Sequence, residues 1–370
     1  MIMVTSLVYG GCETQVINIV KALIKKGAHV FLFILEQNVP RLNELSSEID
    51  SKKLTYHIGS KTNMFDVQSI QEIRRCCREW QPDIIHSFLY HSDIYSRLAN
   101  LDNKLPILNS ERNHGYNLKF KQKFLHYITR WRTTGLIANS YAGAEFAIKR
   151  YKLEKKHVHT VWNGIDIPSI NQKADEIDDN IKERFFFDPN IKLATMIASI
   201  KPQKNHLYAI EIASQLTTKH TNWRVLFVGS KFSADSSDYP SEVHQAYNKK
   251  CNTEKVKFIG NRNDIAAVLK QSDVTFLTSY FEGFPNVVLE AMALGIPIVS
   301  TDYSDIRHIL QFSHHIIEQD NPTKFVNAIL ECNENKHLYT NEYIKWVTNY
   351  ASIDVMVKKL IEIYDTYIQH

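Results

Sequence analysis

Two glutamates, Glu282 and Glu290, bracket the stretch Glu282-Gly283-Phe284-Pro285-Asn286-Val287-Val288-Leu289-Glu290. An apolar run over residues 274–278 precedes it and reads as a buried strand. Ala291-Met292-Ala293-Leu294 follows and reads as helix, closed by Gly295 and Pro297. A second apolar run, Ile298-Val299-Ser300-Thr301, reads as the next strand. The acidic pair therefore sits at a strand-to-helix turn of a βαβ unit, where open parallel sheets bind their ligands. Amides in the first helical turn lack intrahelical partners and favour an anion such as a diphosphate. A carboxylate accepts hydrogen bonds and donates none. Two of them flanking a phosphate site suit a ligand with hydroxyls at both ends, as a nucleotide sugar has.

This stretch resembles the Glu-x7-Glu signature of retaining GT-B glycosyltransferases of family 4. The resemblance implies that Glu282 holds hydroxyls of the donor sugar and that Glu290 holds the ribose. It implies also that the backbone of Gly283, Phe284, Asn286 and Val287 meets the sugar and diphosphate. It runs nearly end to end, through Gly10-Gly11 at the first turn, Asn163-Gly164-Ile165-Asp166 at the linker and Lys204-Asn205. By the same resemblance, Gly10 and Gly11 lie beside the donor diphosphate, where the missing Cβ lets backbone approach closely. Ile197-Ala198-Ser199-Ile200-Lys201-Pro202-Gln203-Lys204-Asn205 resembles the family's phosphate loop, in which an Arg and a Lys neutralise the departing diphosphate. Lys204 matches the Lys, while Ser199 stands where the Arg often is, so one fixed cation is missing and Lys201 is the residue available to replace it. Arg262, after the next strand, is a donor-binding candidate for the base, and Asp264 beside it reads as a cap for a helix over 265–270. Asp302-Tyr303-Ser304-Asp305 departs from the Gly-Gly turn usual at that point.

In the first half, Arg112 stands where many relatives carry a sugar-facing His, and His114 is nearby. With Glu282 and Lys204 these two complete the catalytic candidates. His86 and His91 end another strand, and each is either an acceptor-side group or an ordinary structural or surface histidine. No Gly-x-Gly-x-x-Gly is present, which argues against NAD. Five scattered cysteines without a Cys-x-x-Cys pair argue against a disulfide framework and a zinc site. No metal or cofactor is expected.

These residues need elements to position them. Strand and helix patterns alternate through both halves, which predicts doubly wound parallel sheets. The resemblance implies the GT-B arrangement, an α/β fold of two facing Rossmann-like domains with a C-terminal crossover helix. An acceptor-side domain is expected over 1–165, joined by the helix 353–370, and a nucleotide-sugar-binding domain over 166–352. A polar stretch over 171–182 marks the boundary. A chain of 370 residues with 44% apolar content is ample for two cores. The formal charge of +4 does not suggest nucleic-acid binding. No run reaches membrane-spanning length, and residues 2–6 read as a first strand and not a leader, so a cytoplasmic protein is expected.

Residues 119–132 interleave Lys119, Lys121, Lys123, Arg130 and Arg132 with Phe120, Phe124, Tyr127, Ile128 and Trp131. As a helix, this segment either lies on an anionic membrane face or packs its aromatic stripe into a core. The expectation is a retaining, metal-independent hexosyltransferase using a UDP-sugar, or else a GDP-sugar. Its acceptor would be a glycan or a polyprenyl-diphosphate-linked sugar in bacterial surface polysaccharide synthesis, on the inner face of the plasma membrane. A catalytically weak sugar-nucleotide-binding subunit and a GT-B sugar-nucleotide epimerase are the alternatives.

Overall fold

The computed structural model describes residues 1–46, 52–61, 63, 66–100, 105–112, 119–176, 180–230, 238–319 and 321–368. The chain divides into two compact units, Met1–Gly164 with Ala351–His370, and Ile165–Tyr350.

The first unit holds strands β1 (Ile2–Val4), β2 (Val30–Ile34), β3 (Leu54–Ile58), β4 (Ile85–Phe88), β5 (Ile107–Glu111), β6 (Gly135–Ala138) and β7 (Val158–Thr160). They form one parallel sheet in the order β3-β2-β1-β4-β5-β6-β7. Inner strands such as Val30-Phe31-Leu32-Phe33-Ile34 are buried throughout, as a sheet covered by helices on both faces requires. The helix Gly11–Lys25 buries Val16, Ile17, Val20, Leu23 and Ile24 on one face. Gly27 ends it at φ +100°, a conformation that favours glycine.

The final helix, Ile353–Ile368, belongs to this first unit. It adds Met356, Val357, Leu360 and Tyr364 to the core that contains Val16 and Val20. Its approach is close: a Cβ on Gly164 would lie 2.9 Å from the Ile353 Cα. Gln15 clips the same turn by donating from Nε2 to the Gly164 carbonyl (3.1 Å).

The second unit holds β8 (Lys192–Ile197), β9 (Trp223–Val228), β10 (Val256–Phe258), β11 (Val274–Leu277), β12 (Ile298–Thr301) and β13 (Ile316–Ile317). The order is β10-β9-β8-β11-β12-β13, again parallel. Sheet order reverses direction at β1/β4 in one unit and at β8/β11 in the other, the topological switch points at which such sheets bind ligands.

The polar stretch over 171–182 is helical over much of its described length. Asp166 caps a helix over Ile167–Asp175 by accepting from the Ser169 amide, and Asn180 caps a second over Ile181–Phe186. Asp264 does not cap the helix Ile265–Lys270 through its side chain; its carboxylate is held by Arg262 instead. Among the described residues no helix is long and apolar enough to cross a membrane.

Candidate functional site

The residues expected around the donor fall into two groups, one in each unit. In the second unit, the loop after β8 and the loop after β11 meet at the carboxyl ends of adjacent strands. The joint is built from hydrogen bonds. The Tyr280 amide donates to the Gln203 carbonyl (2.9 Å). Thr278 Oγ1 donates to the carbonyls of Lys204 (2.9 Å) and Asn205 (3.1 Å). Asn205 adopts a left-handed backbone (φ +50°) and caps the helix His206–Lys219. That tight turn places Lys204 over the strand ends.

Lys204 Nζ forms an ion pair with Glu282 Oε1. Ser279 Oγ donates to the same oxygen (2.6 Å), and Gln203 Nε2 reaches Glu282 Oε2 (3.3 Å). Glu282 is 6% exposed. A carboxyl group this buried is costly to leave without hydrogen-bond partners, and here a cation and two neutral donors engage it. Thr301 Oγ1 and Gln319 Nε2 both donate to the Ser279 carbonyl, tying the loop to the end of β12 and to the chain beyond β13. Tyr303 is buried nearby, its phenol pushed well up by burial and then by the charge of Glu282.

The helix Asn286–Ala293 begins directly after this loop. Pro285 at its N-cap supplies no side-chain cap, and no acidic residue sits in the first turn. Its amide-rich end therefore suits an anion from outside. Phe284 is buried, Gly283 accepts from Ser304 Oγ (3.5 Å), and Asn286 and Val287 open the helix. Ser304 takes a left-handed backbone at φ +45°, so a serine holds a conformation that glycine adopts more readily, at the turn where the sequence lacks the expected Gly-Gly.

Glu290 lies one turn into that helix and is half-buried. Withdrawal from water pushes its carboxyl up to about 7, with Lys173 pulling the other way. Ser199 follows β8 at the phosphate loop and is partly exposed. Arg262 donates from Nε to Asp264 Oδ1 (2.7 Å) and pairs with Oδ2 as well, so its charge is already matched by its own loop.

In the first unit, Gly10 and Gly11 open the helix Gly11–Lys25, and the buried Glu13 carboxylate lies against Gly10. Burial raises the Glu13 carboxyl, opposed by its own amide and by Arg41. Arg112 directly follows β5, lies over the Phe88 ring (4.9 Å) and donates from Nη1 to Asn163 Oδ1 (2.8 Å). Its Nε is buried with no partner among the described residues. Burial lowers its guanidinium below the ordinary arginine value, opposed by nearby Cys12 and Tyr364. His114 lies outside the described residues.

His86 is a correction. It is fully buried, with Nδ1 bonded to Tyr364 Oη (2.6 Å) and Nε2 to Ser110 Oγ (2.7 Å). Burial and Arg112 hold it well below the usual histidine range. Both nitrogens serve the core of the first unit, and neither is left for an acceptor. His91 is partly exposed and stacks edge-on with Tyr90; burial and Lys61 lower it.

The basic aromatic segment forms a helix over Phe120–Thr129 and a 3-10 turn over Arg130–Arg132. Its apolar stripe is not core: Phe120 is 83% exposed and Trp131 63%, and Phe124, Tyr127 and Ile128 are exposed as well. Arg97 anchors the underside, bonding His126 Nδ1 (3.1 Å) and the oxygen of Thr129 (3.3 Å). A groove of about 360 Å³ runs between Phe120, Phe124 and Tyr127 on one side and Lys149, Arg150 and Lys152 on the other.

Gln203, Ser279 and Tyr303 were not singled out by the sequence. Gln203 stands inside the phosphate loop, but nothing in spacing marks a glutamine as the partner of a carboxylate many residues away.

Comparison with known proteins agrees with this architecture. Residues 177–349 match the family described as "Glycosyl transferases group 1", and residues 9–168 match "Glycosyltransferase Family 4". The UDP-Gal:alpha-D-GlcNAc-diphosphoundecaprenol alpha-1,3-galactosyltransferase of Escherichia coli is 26% identical over 82% of this chain and 79% of its own length. The capsular polysaccharide biosynthesis glycosyltransferase CapH of Staphylococcus aureus is 23% identical over 96% of this chain and 95% of its own. Among solved structures, a glycosyltransferase from Rickettsia africae superposes with a TM-score of 0.84 at 18% identity, covering 100% of this chain and 98% of its own. Anabaena HepE in complex with UDP does so at 0.81 and 16% identity, covering 99% of each. These two likenesses show the fold.

Proposed function

This chain belongs to the group 1, family 4 glycosyltransferases and has their GT-B fold, and on that premise we propose a specific reaction. It moves a hexose-type sugar from a nucleoside-diphosphate donor to a hydroxyl of a glycan or of a polyprenyl-diphosphate-linked sugar, keeping the anomeric configuration. UDP is the favoured nucleotide, GDP the second choice, and the product is a bacterial surface polysaccharide. The observation that carries this reading is the joint of Lys204, Glu282 and the start of the helix Asn286–Ala293. A cation, a carboxylate and an uncapped helix end are what a sugar diphosphate needs on its two sides. The E. coli relative, named for a UDP-Gal donor and a diphosphoundecaprenol-linked acceptor, supports the choice of donor and acceptor, and UDP bound to HepE accords with the choice of nucleotide.

In this reading Glu282 accepts from hydroxyls of the sugar, Glu290 accepts from the ribose, and backbone over 283–287 meets the diphosphate. The bond from the anomeric carbon to the diphosphate oxygen breaks, and the acceptor oxygen bonds the same face of that carbon. The acceptor proton passes to a diphosphate oxygen. Lys204 and the helix end stabilise the negative charge that grows on the leaving group, taking the place of a divalent cation. Gly10, Gly11, Arg112, His91 and His114 remain candidates on the first unit for phosphate, sugar or acceptor contact. The exposed stripe over 119–132 supports a peripheral position on the inner face of the membrane, where a lipid-linked acceptor would lie.

Ser199 in the place of an arginine favours a second reading, a weakly active sugar-nucleotide-binding subunit. A thermal-shift screen over UDP, GDP and their hexose and N-acetylhexosamine derivatives tests the donor site, since a ligand that binds the folded state raises its midpoint. Turnover of the best donor, with and without acceptor, then separates the two readings. Stabilisation by no nucleotide would contradict both.

A further inference from the structure

Glu282 cannot act alone. A carboxylate has roughly four directions from which it accepts hydrogen bonds. Lys204 and Ser279 occupy two on Oε1, and Gln203 approaches one on Oε2. The remaining direction lies on Oε2, the oxygen that Gln203 orients. Gln203 is itself held at both ends. Its side-chain Nε2 also donates to the Phe281 carbonyl (2.7 Å), and its backbone carbonyl accepts from the Tyr280 amide (2.9 Å). Both side-chain partners are acceptors only, so the amide nitrogen, and not its oxygen, must face Glu282. A glutamate in the same place would keep the shape and lose the donor.

We infer that Gln203 is the positioning residue for Glu282, fixing the carboxylate oxygen left open to a sugar hydroxyl while Lys204 stays at the diphosphate. The inference rests on the proposed role of Glu282. It implies that Gln203 governs recognition of the sugar without governing recognition of the nucleotide. A residue that merely stiffened the loop would affect both together.

The test compares UDP with UDP-galactose, UDP-glucose and their N-acetyl counterparts by calorimetry, in wild type and in Glu282→Ala, Gln203→Ala and Gln203→Glu. The quantity read is the ratio of UDP Kd to UDP-sugar Kd for the sugar that wild type prefers. Gln203→Ala should cut this ratio about tenfold, as expected for one hydrogen bond to a charged group, while UDP alone binds within about threefold of wild type. Gln203→Glu should be at least as damaging at pH 8. Its ratio, normalised to wild type, should recover toward pH 5.5, because two facing carboxyls share a proton there and the shared proton restores a donor. A ratio that Glu282→Ala leaves intact would sink the assignment of Glu282 itself. A ratio lost in Glu282→Ala but kept in both Gln203 variants would overturn this inference and leave Glu282 standing. Equal loss of UDP and UDP-sugar binding in Gln203→Ala, or a Gln203→Glu deficit that ignores pH, would also overturn it.

Discussion

Acidification should loosen nucleotide binding through Glu290. Burial holds its carboxyl at about 7 in the ligand-free chain, against an ordinary value of 4.5. If two ribose hydroxyls donate to it, each bond is worth about 1 kcal/mol more to the ionised form than to the neutral one. Together they favour the charged form by about 2 kcal/mol, so binding expels a proton below about pH 7. UDP affinity should then fall roughly 20- to 30-fold between pH 8 and pH 5, a factor of ten being 1.36 kcal/mol. The diphosphate titrates in the same range, but its titration is common to wild type and Glu290→Gln. The ratio of their UDP dissociation constants, measured by calorimetry at half-unit steps of pH, isolates Glu290. Without ligand the sign reverses. A raised carboxyl keeps a proton that the unfolded chain has released, so on its account stability is fullest below about pH 4.5 and declines as pH rises to about 7. Glu290→Gln should therefore raise the unfolding midpoint of the free protein at pH 8 and leave it unchanged near pH 4. Parallel pH profiles for wild type and Glu290→Gln would refute the ribose assignment.

Three further outcomes follow from the geometry. Lys204→Ala should lower kcat on the order of 100-fold, more than it raises donor KM, because the cation acts on charge that develops in the transition state; Ser199→Arg should keep or raise kcat, and unchanged turnover in Lys204→Ala would remove the leaving-group role. Tyr364→Phe strands the buried His86 Nδ1 and should destabilise the first unit by about 1–3 kcal/mol in denaturant melts, while UDP affinity stays unchanged. Changing Lys119, Lys121 and Lys123 to Glu should release the protein from anionic vesicles in sedimentation, since each cation near such a surface contributes about 1 kcal/mol; binding that ignores lipid charge and salt would contradict the membrane reading.

Much of this was legible in the sequence for physical reasons. Parallel strands buried on both faces read as apolar runs, so Val30–Ile34 and Val274–Leu277 stood out. The edge strand Leu54–Ile58 is half exposed and mixes Thr, Tyr and His with its aliphatics, and β13 has two residues; neither carries a periodic signal. The Lys204 and Glu282 positions were legible from the loops that bear them, but their mutual ion pair was not, because the two loops meet only once β8 and β11 lie side by side. Burial decided what pattern left open. His86 proved to be a core residue with both nitrogens bonded, and the stripe from Phe120 to Trp131, equally good as core or surface on spacing alone, is exposed. The helices within 167–186 hid in a polar stretch because their caps, Asp166 and Asn180, are also turn formers.

Proton NMR of the transfer product tests the central claim most directly. Wild type is incubated with the α-linked UDP-hexose that stabilises it most and a short polyprenyl-diphosphate-linked N-acetylhexosamine. The account predicts an α-anomeric signal in the new disaccharide, formed in step with UDP release and absent in Glu282→Ala. A β-linked product, or UDP-sugar consumption that yields an epimerised nucleotide sugar and no disaccharide, would contradict it.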